Sequence, residues 1–420
     1  MSFADTYLKK HRFLMPKIKT PPPRGLSYIV IIPAYLEDQI LDTLKSLRNT
    51  ASIDGAIEVL VVINYSEADT PVNKKTNMAT YRRLLSWCRE NSKPLFNFFP
   101  VLASDLPAKH AGAGLARKIG MDEALYRFGL ANNPKGIILS LDADAQVDPD
   151  YFTAIANEFQ EDTVFGGCIF RFAHPIEGSG FPKRIYSAIT LYELHLRYYK
   201  YALKFSGFPY AFYTIGSCFG VRAGFYAEQG GMNRRKGGED FYFLNKLFPH
   251  RSFCEIKGTC VHPSPRPSSR VPFGTGPVIQ GLAESKKMEY LTYNLQAFVD
   301  LKAFFRKITE LYDMGEDKLE FYLKDLSDPI TTFLSQNSFS DKLKEIRTNT
   351  ASERAFYKRF FLWFNGFNVV KFLNFSHKDH YQKVDITEAA KQLLIRMGLE
   401  GFREDPRSLL LIFRELDDPT

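Results

Sequence analysis

A chain of 420 residues, 45% hydrophobic and 24% charged, has the composition of a globular protein with core for two or three domains, which excludes the disordered and fibrous classes. A formal net charge of +8 points to an acidic partner such as a nucleotide phosphate, an anionic lipid surface or a nucleic acid, without choosing among them. Five cysteines (Cys88, Cys168, Cys218, Cys254, Cys260) with no CxxC pair indicate neither a disulfide framework nor a zinc ribbon.

The N-terminal stretch lacks an apolar core of the signal-peptide type, and nowhere do about 18 uninterrupted apolar residues occur. A soluble or at most peripherally membrane-associated protein of the reducing cytoplasm is therefore expected. Residues 1–25 are basic and end in Pro21, Pro22 and Pro23, which reads as a stiff lead-in outside the core. "LSYIVIIPAY" then predicts a strand stopped by Pro33, followed by a helix with Ile40, Leu41, Leu44 and Leu47 on one face. "AIEVLVVINYSEADTP" repeats the theme, with a strand ending in Asn64, Ser66 and Asp69. A helix over 76–92, a short strand in "PLFNFFPV" and a helix in "GAGLARKIGMDEALYRFGL" come next.

"GIILSLDADAQVDPDYF" is the most informative stretch. A buried strand, Ile137 to Leu141, delivers Asp142, Asp144 and Asp148 to a sheet edge. In an open α/β sheet ligands bind outside the carboxyl ends of the strands, and residues two apart on an extended segment share a face. Asp142 and Asp144 thus converge on a cation or a sugar hydroxyl, or else form a solvated loop in which Asp148, before Pro149, caps the next helix. The β-α alternation predicts an α/β fold with a mostly parallel sheet and helices on both faces.

Further on, 163–174 reads as a strand, and Arg184 to Phe205 as a long helix whose aromatic stripe suits core packing. Glu239 and Asp240 open another helix, "FCEIKGTCVH" a strand, and His262 to Gly276 a long loop rich in Pro, Gly and Ser that carries Arg266 and Arg270. After about Gln280 the pattern turns helical, with Asp385 as a helix cap, Glu388 three residues later and Gly398 at the end. The aromatic run Arg359 to Phe375 fits buried helix packing better than an interfacial membrane helix.

"YIVIIPAYLED", "INYSEADT", "AGAGLARKIGMDEAL", "LSLDADAQVDPDYF" and "GGEDFYFLNKL", in this order over residues 26 to 250, together resemble the family 2 glycosyltransferases of GT-A fold. The resemblance covers roughly the first 280 residues. It implies a GT-A domain at 26–280 and says nothing secure about the last 140 residues; the helical region at 281–420, read from its pattern alone, is expected to recognise the acceptor, make a homo-oligomer contact or touch a membrane peripherally. Carried over by position, Pro33, Ala34, Tyr35, Glu37 and Asn64 would surround the nucleoside of a nucleotide-diphosphate sugar. Asn64 stands where the family often has an aspartate, which leaves uracil and guanine both open.

The resemblance further implies that Asp142 contacts ribose or metal and that Asp144 holds a divalent cation, Mn²⁺ or Mg²⁺, with His262 completing the metal site. Asp240 would be the general base of an inverting displacement, with Glu239 binding acceptor. Retention shares the same fold and metal site. As a bland alternative, both carboxylates simply favour a helix N-terminus. The leaving diphosphate gains charge, so Arg266 and Arg270 are expected to close over it. Arg117 and Lys118 face phosphate or solvent. A carbohydrate, lipid-linked or small-molecule acceptor is placed near Gly216 and Ser217, beside Tyr210, Phe212 and Tyr213. A phosphatase of the haloacid dehalogenase type is disfavoured, because Gln146 stands where its motif wants Thr or Val and two βα units precede the motif. Nucleic-acid binding lacks any motif. The rival from another class is a non-catalytic nucleotide-sugar or glycan-binding module.

Overall fold

The computed structural model describes residues 2–159, 164–271 and 274–417. Thr163, the expected start of one strand, and Pro272 and Phe273 of the long loop lie outside these residues. The chain divides into two compact units, Met1–Gly178 with Thr214–Gln280, and Ser179–Tyr213 with Gly281–Thr420.

The first unit is an α/β layer structure. Its strands are β1 (Leu26–Ala34), β2 (Ala56–Ser66), β3 (Phe96–Leu106), β4 (Ile137–Ser140), β5 (Gln146–Val147), β6 (Gly167–Phe172), β7 (Phe219–Arg222) and β8 (Phe253–His262). They form one sheet in the order β3-β2-β1-β4-β7-β6-β8-β5. The first four are parallel neighbours, β7 runs antiparallel to β4 and β6, and β6 pairs parallel with β8. The β2 side chains are buried along nearly the whole strand, as expected of a parallel strand covered on both faces.

Helices of this unit are α1 (Asp5–His11), α2 (Ile40–Arg48), α3 (Pro71–Asn91), α4 (Ala113–Leu130) and α5 (Tyr151–Glu158). Pleat alternation sorts them. Ile31, Glu58 and Phe99 share one face with α4, whose Gly120 abuts Ile31 and Val62 and whose Arg127 pairs with the fully buried Glu58 and lies over the Phe99 ring. The opposite face carries Tyr28 and Phe96 against Phe152 of α5, and Phe98 against Trp87 of α3. Helices therefore cover both faces, as the β-α alternation predicts.

Residues 1–25 correct the expectation of a detached lead-in. Tyr7 of α1 is buried and donates to Asp122 Oδ1 at 2.8 Å, and the Lys17 and Ile18 amides donate to the Glu123 carboxylate at 2.9 and 3.1 Å. Asp148 is also not a helix cap. Pro149 delays the helix to Tyr151, the residue before it is Asp150, and no side chain caps the turn.

The second unit is helical and contains α6 (Lys183–Phe205), so the expected single domain over 26–280 is interrupted by 179–213. In the first unit α7 (Ala223–Glu228) and α8 (Glu239–Leu247) follow β7. After α9 (Thr275–Glu284) come α10 (Leu295–Phe305), α11 (Glu316–Lys324), α12 (Asp328–Gln336), α13 (Phe339–Thr348), α14 (Glu353–Trp363), α15 (Gly366–Asp379), α16 (Ile386–Arg396) and α17 (Pro406–Leu416). Phe360, Phe361, Phe364 and Phe372 of the aromatic run are buried, so helix packing accounts for it. Asp385 caps α16 through the Thr387 amide at 2.8 Å. Just past α17, Asp417 accepts from Lys200, Tyr201 and Tyr213 at 3.0, 2.9 and 2.8 Å and pairs with Arg197. Burial alone would raise the Asp417 pKa, but Arg197 and Lys200 hold it below the usual carboxylate value. Among the described residues no helix is long and apolar enough to cross a membrane.

Candidate active site at the strand carboxyl ends

The ends of β1, β2 and β4 put Tyr35 and Glu37, Asn64, and Asp142 with Asp144 along one edge of the sheet. Two arginine-centred clusters gather these and other groups. The first is built on Arg117 in the second turn of α4, whose guanidinium is almost fully buried. Nε donates to Ser140 Oγ and Nη2 to Asp142 Oδ1, both at 2.8 Å, while Nη1 binds Glu239 at the start of α8. The Ser140 hydroxyl in turn donates to the Gly216 carbonyl at 2.7 Å. Three segments distant in sequence are thereby pinned to one cation.

Asp240 joins this cluster from the side. A Cβ placed on Gly216 would lie 2.7 Å from Arg117 Nη2 and 3.1 Å from Asp240 Oδ2, so only glycine leaves room for both groups. The Asp240 carboxyl is pushed up to about 7, first by desolvation and then by the neighbouring Glu239 charge, with Arg117 opposing. Asp142 is pushed up to about 6 by desolvation, again against Arg117. Its side chain keeps 43% exposure, so solvent screens it and the upward direction is what matters. Burial works against the Arg117 charge, but Glu239, Asp142 and Asp240 together hold its pKa up.

The second cluster comes from the loop after β8. Arg266 Nη2 lies 2.8 Å from Glu37 Oε1 and 3.0 Å from Asp144 Oδ2. Arg270 binds the same Glu37 and donates to the Tyr35 carbonyl at 2.6 Å. Glu37 is buried, and desolvation followed by the Asp144 charge raises its pKa against the two arginines. Next to it Leu36 has φ +52, a left-handed conformation uncommon outside glycine, held by its amide's bond to Asn77 Oδ1 at 3.0 Å. Arg266 Nε is buried and finds no hydrogen-bond acceptor among the described residues. A buried guanidinium donor without an acceptor is a group that an anion would satisfy.

Other expected site residues lie elsewhere. His262 is not gathered with Asp142 and Asp144; its Nε2 faces Asp148 Oδ1 at 2.8 Å and its Nδ1 the Ala173 carbonyl at 3.0 Å. Among the described residues no group of three His, Cys, Asp or Glu side chains stands close enough to hold a metal ion. Ser217 is fully buried, its hydroxyl against Cys218 Sγ, which removes it from acceptor contact. Tyr213 is spent on Asp417, and Tyr210 packs on Phe208 and Phe361 within the second unit. Lys118, expected on phosphate or in solvent, is buried against Tyr7 and Asp122. Pro33 and Ala34 close β1, with Ala34 buried, and Asn64 is buried near the end of β2.

Sequence reading missed Ser140 and Gly114; Asp69, expected only as a polar residue at the strand end, accepts from Tyr35 Oη at 2.7 Å. Gly114 is legible only in three dimensions: a Cβ there would run into the Arg235 carbonyl and sit 2.9 Å from Glu239 Cβ. Gly114→Ala is expected to push the 235–240 segment outward at a cost of about 1–3 kcal/mol. Urea denaturation measures that cost, and an unchanged midpoint would contradict the contact.

No family model and no curated protein matches the chain. Among solved structures it is similar to the crystal structure of S. aureus TarS 1–349 in complex with UDP-GlcNAc, with 12% identity and a TM-score of 0.41 over 90% of this chain and 94% of that one. It is also similar to the mannosyltransferase PcManGT from Pyrobaculum calidifontis in complex with GDP-Man and Mn²⁺, with 14% identity and a TM-score of 0.36 over 99% of this chain and 92% of that one.

Proposed function

We propose that the chain is a glycosyltransferase of the GT-A, family 2 kind, moving a sugar from a nucleotide-diphosphate donor to an acceptor hydroxyl with inversion. The observation that carries this reading is the pairing of the two clusters at one sheet edge. One presents cations and an unsatisfied guanidinium Nε, the other a carboxylate whose pKa lies near neutrality. The first suits a diphosphate and the second suits proton abstraction.

Tyr35, Glu37 and Asn64 line the nucleoside end, with Pro33 and Ala34 shaping the loop that carries them. Arg266 and Arg270 exchange Glu37 and Asp144 for the donor diphosphate as its charge grows. Asp240 takes the acceptor proton while the acceptor oxygen bonds to the anomeric carbon, and the electron pair of the breaking C–O bond leaves with the diphosphate. Arg117 holds Asp142 and Glu239 fixed, so that Asp240 meets the acceptor in one orientation.

A divalent cation, Mn²⁺ or Mg²⁺, would neutralise the diphosphate. The residues fit it in part: Glu37 and Asp144 offer hard oxygens to one shared position, taken here by the Arg266 guanidinium, while His262 is engaged elsewhere. Asp144 is the residue that would hold it, in the one-carboxylate manner usual for ions that keep several waters.

A thermal-shift panel of UDP- and GDP-sugars, each with Mn²⁺ and with chelator, tests the reading. Ligand at a hundred times its Kd adds about 2.7 kcal/mol to native stability. The shift is expected to be larger with metal, and in Asp144→Ala to fall to the chelator level. No shift with any nucleotide, metal or no metal, would sink the donor site.

A further inference from the structure

We infer that the N-terminal segment belongs to the transfer machinery, with Tyr7 as a positioning residue that fixes, through Gly231, the connector delivering Asp240; this rests on the transferase reading above.

The connector from α7 to α8, "QGGMNRRKGG" at 229–238, includes four glycines, and Gly230, Gly231 and Gly238 adopt positive φ of 71, 66 and 65°. Glycine has the most backbone freedom to lose, so such a connector does not hold one shape by itself. Its downstream end is Glu239 and Asp240. A general base works only within hydrogen-bond reach of the proton it takes, so the connector has to be fixed from outside.

The fixings come from three elements. Tyr7 of α1 is wedged against Gly231, where an added Cβ would collide with the phenol, and the centre of the Phe13 ring lies 5.9 Å from the Arg234 guanidinium carbon. The Tyr7 hydroxyl donates to Asp122 at 2.8 Å and accepts from Lys118 at 2.9 Å, both on α4. The same helix carries Arg117, whose guanidinium grips Glu239, and its Gly112 lets it approach the Lys236 backbone, where an added Cβ would stand 3.3 Å from Lys236 Cα. Thus α4 is a common base for the N-terminal segment and for the acidic pair. From α8, Lys246 donates to the Gln229 and Gly231 carbonyls at 2.7 and 3.0 Å. Within the connector the Asn233 carboxamide donates to the Glu239 carbonyl at 2.8 Å and accepts from the Arg235 amide at 3.0 Å. Tyr7 is buried, so removing its ring opens space on one flank of Gly231 and frees the connector there.

Hydrogen exchange read by mass spectrometry and nucleotide-sugar hydrolysis, both on the full chain, test this. UDP-glucose, UDP-N-acetylglucosamine and GDP-mannose are the donors, with water as acceptor. In Tyr7→Ala the amides of 230–241 should exchange about tenfold faster or more, while those of α3 and α5 keep wild-type rates. The kcat should fall roughly 10–10²-fold with KM for the donor unchanged, since the donor diphosphate is placed on the Arg266 cluster. Tyr7→Phe keeps the ring beside Gly231 and should recover most of kcat. Leu84→Ala, a cavity in α3 on the other face of the sheet, controls for lost stability and should keep wild-type kcat well below its own melting point. Asn233→Ala leaves Tyr7 in place and, in case Tyr7→Ala folds poorly, should show the same loss of kcat at constant KM on a smaller scale. Unchanged kcat in Tyr7→Ala and Asn233→Ala, an equal loss in Leu84→Ala, or faster exchange spread evenly over the unit overturns the proposal. A wild type that neither binds nor hydrolyses any of the three donors refutes the transferase reading instead.

Discussion

Asp240→Asn should slow sugar transfer by roughly 10²–10⁴-fold while leaving nucleotide-dependent stabilisation intact, because the amide keeps the shape and loses only the ability to take a proton. Single-turnover transfer and thermal shift, run on the same preparation, separate the two effects. Transfer at the wild-type rate would remove Asp240 from the role of base. The pH dependence follows from its surroundings. The folded carboxyl titrates near 7 against an ordinary value of 3.8, so the protonated form is the one the fold prefers. Its contribution to stability is fully present below pH 4 and is lost as pH rises through 7. Asp240→Asn is therefore expected to match wild-type stability near pH 4 and to exceed it at pH 8. The wild-type transfer rate should climb through an apparent pKa near 7, since the base must be ionised. A flat rate profile between pH 6 and 8, with chemistry rate-limiting, would exclude that assignment.

Arg117→Met should cost about 3–5 kcal/mol of stability, the range for breaking a buried ion pair from one side, and should remove transfer as well. The reason is arithmetic of charge: Glu239 is buried, Asp142 and Asp240 stand beside it, and Arg117 is the cation that pairs with the first two. Arg117→Lys should recover little, because a single ammonium cannot address Ser140, Asp142 and Glu239 in the three directions that the guanidinium does. Lowering the pH toward 5 should soften the loss in Arg117→Met, since protonation of the orphaned carboxyls relieves their repulsion. Denaturation midpoints at pH 5 and pH 8 check both statements, and an Arg117→Lys protein as stable as wild type would contradict the clamp.

The strand and helix alternation of the first unit was readable because each element advertises itself locally. The β-branched run before Pro33 became β1, and "GIILS" became β4 with its carboxylates at the sheet edge. Arg117, Asp142, Glu239 and Asp240 were each legible as polar residues near element ends. Their convergence was not, since nothing in spacing records which distant segments a buried cation will gather. Long-range pairing also explains the misreadings. His262 looked like a ligand from its neighbours in sequence, but β8 pairs antiparallel with β5 and sets it beside Asp148 instead. Residues 179–213 read as a continuation of the α/β domain because chain order is all a sequence shows, whereas α6 packs with α16 and α17. Tyr7 lies in a basic stretch of lead-in type, and only the buried Asp122 reveals why the chain folds back there.

The Asp417 cluster has a consequence for the order in which the chain is made. Tyr201, Lys200 and Arg197 leave the ribosome more than 200 residues ahead of the Asp417 carboxylate they bind, with separations of 216, 217 and 220 positions. At about 5–20 residues per second, the bonds from α6 to Asp417 wait some 10–40 seconds to form. The nascent second unit is for that interval a basic, incompletely packed helix, while β7, α8 and β8, which emerge in between, are already free to join the sheet. A stall downstream of Gln280 would accordingly leave the sheet of the first unit complete while α10–α17 are still missing. Chaperone dependence should therefore track synthesis of α16 and α17 and not of the sheet.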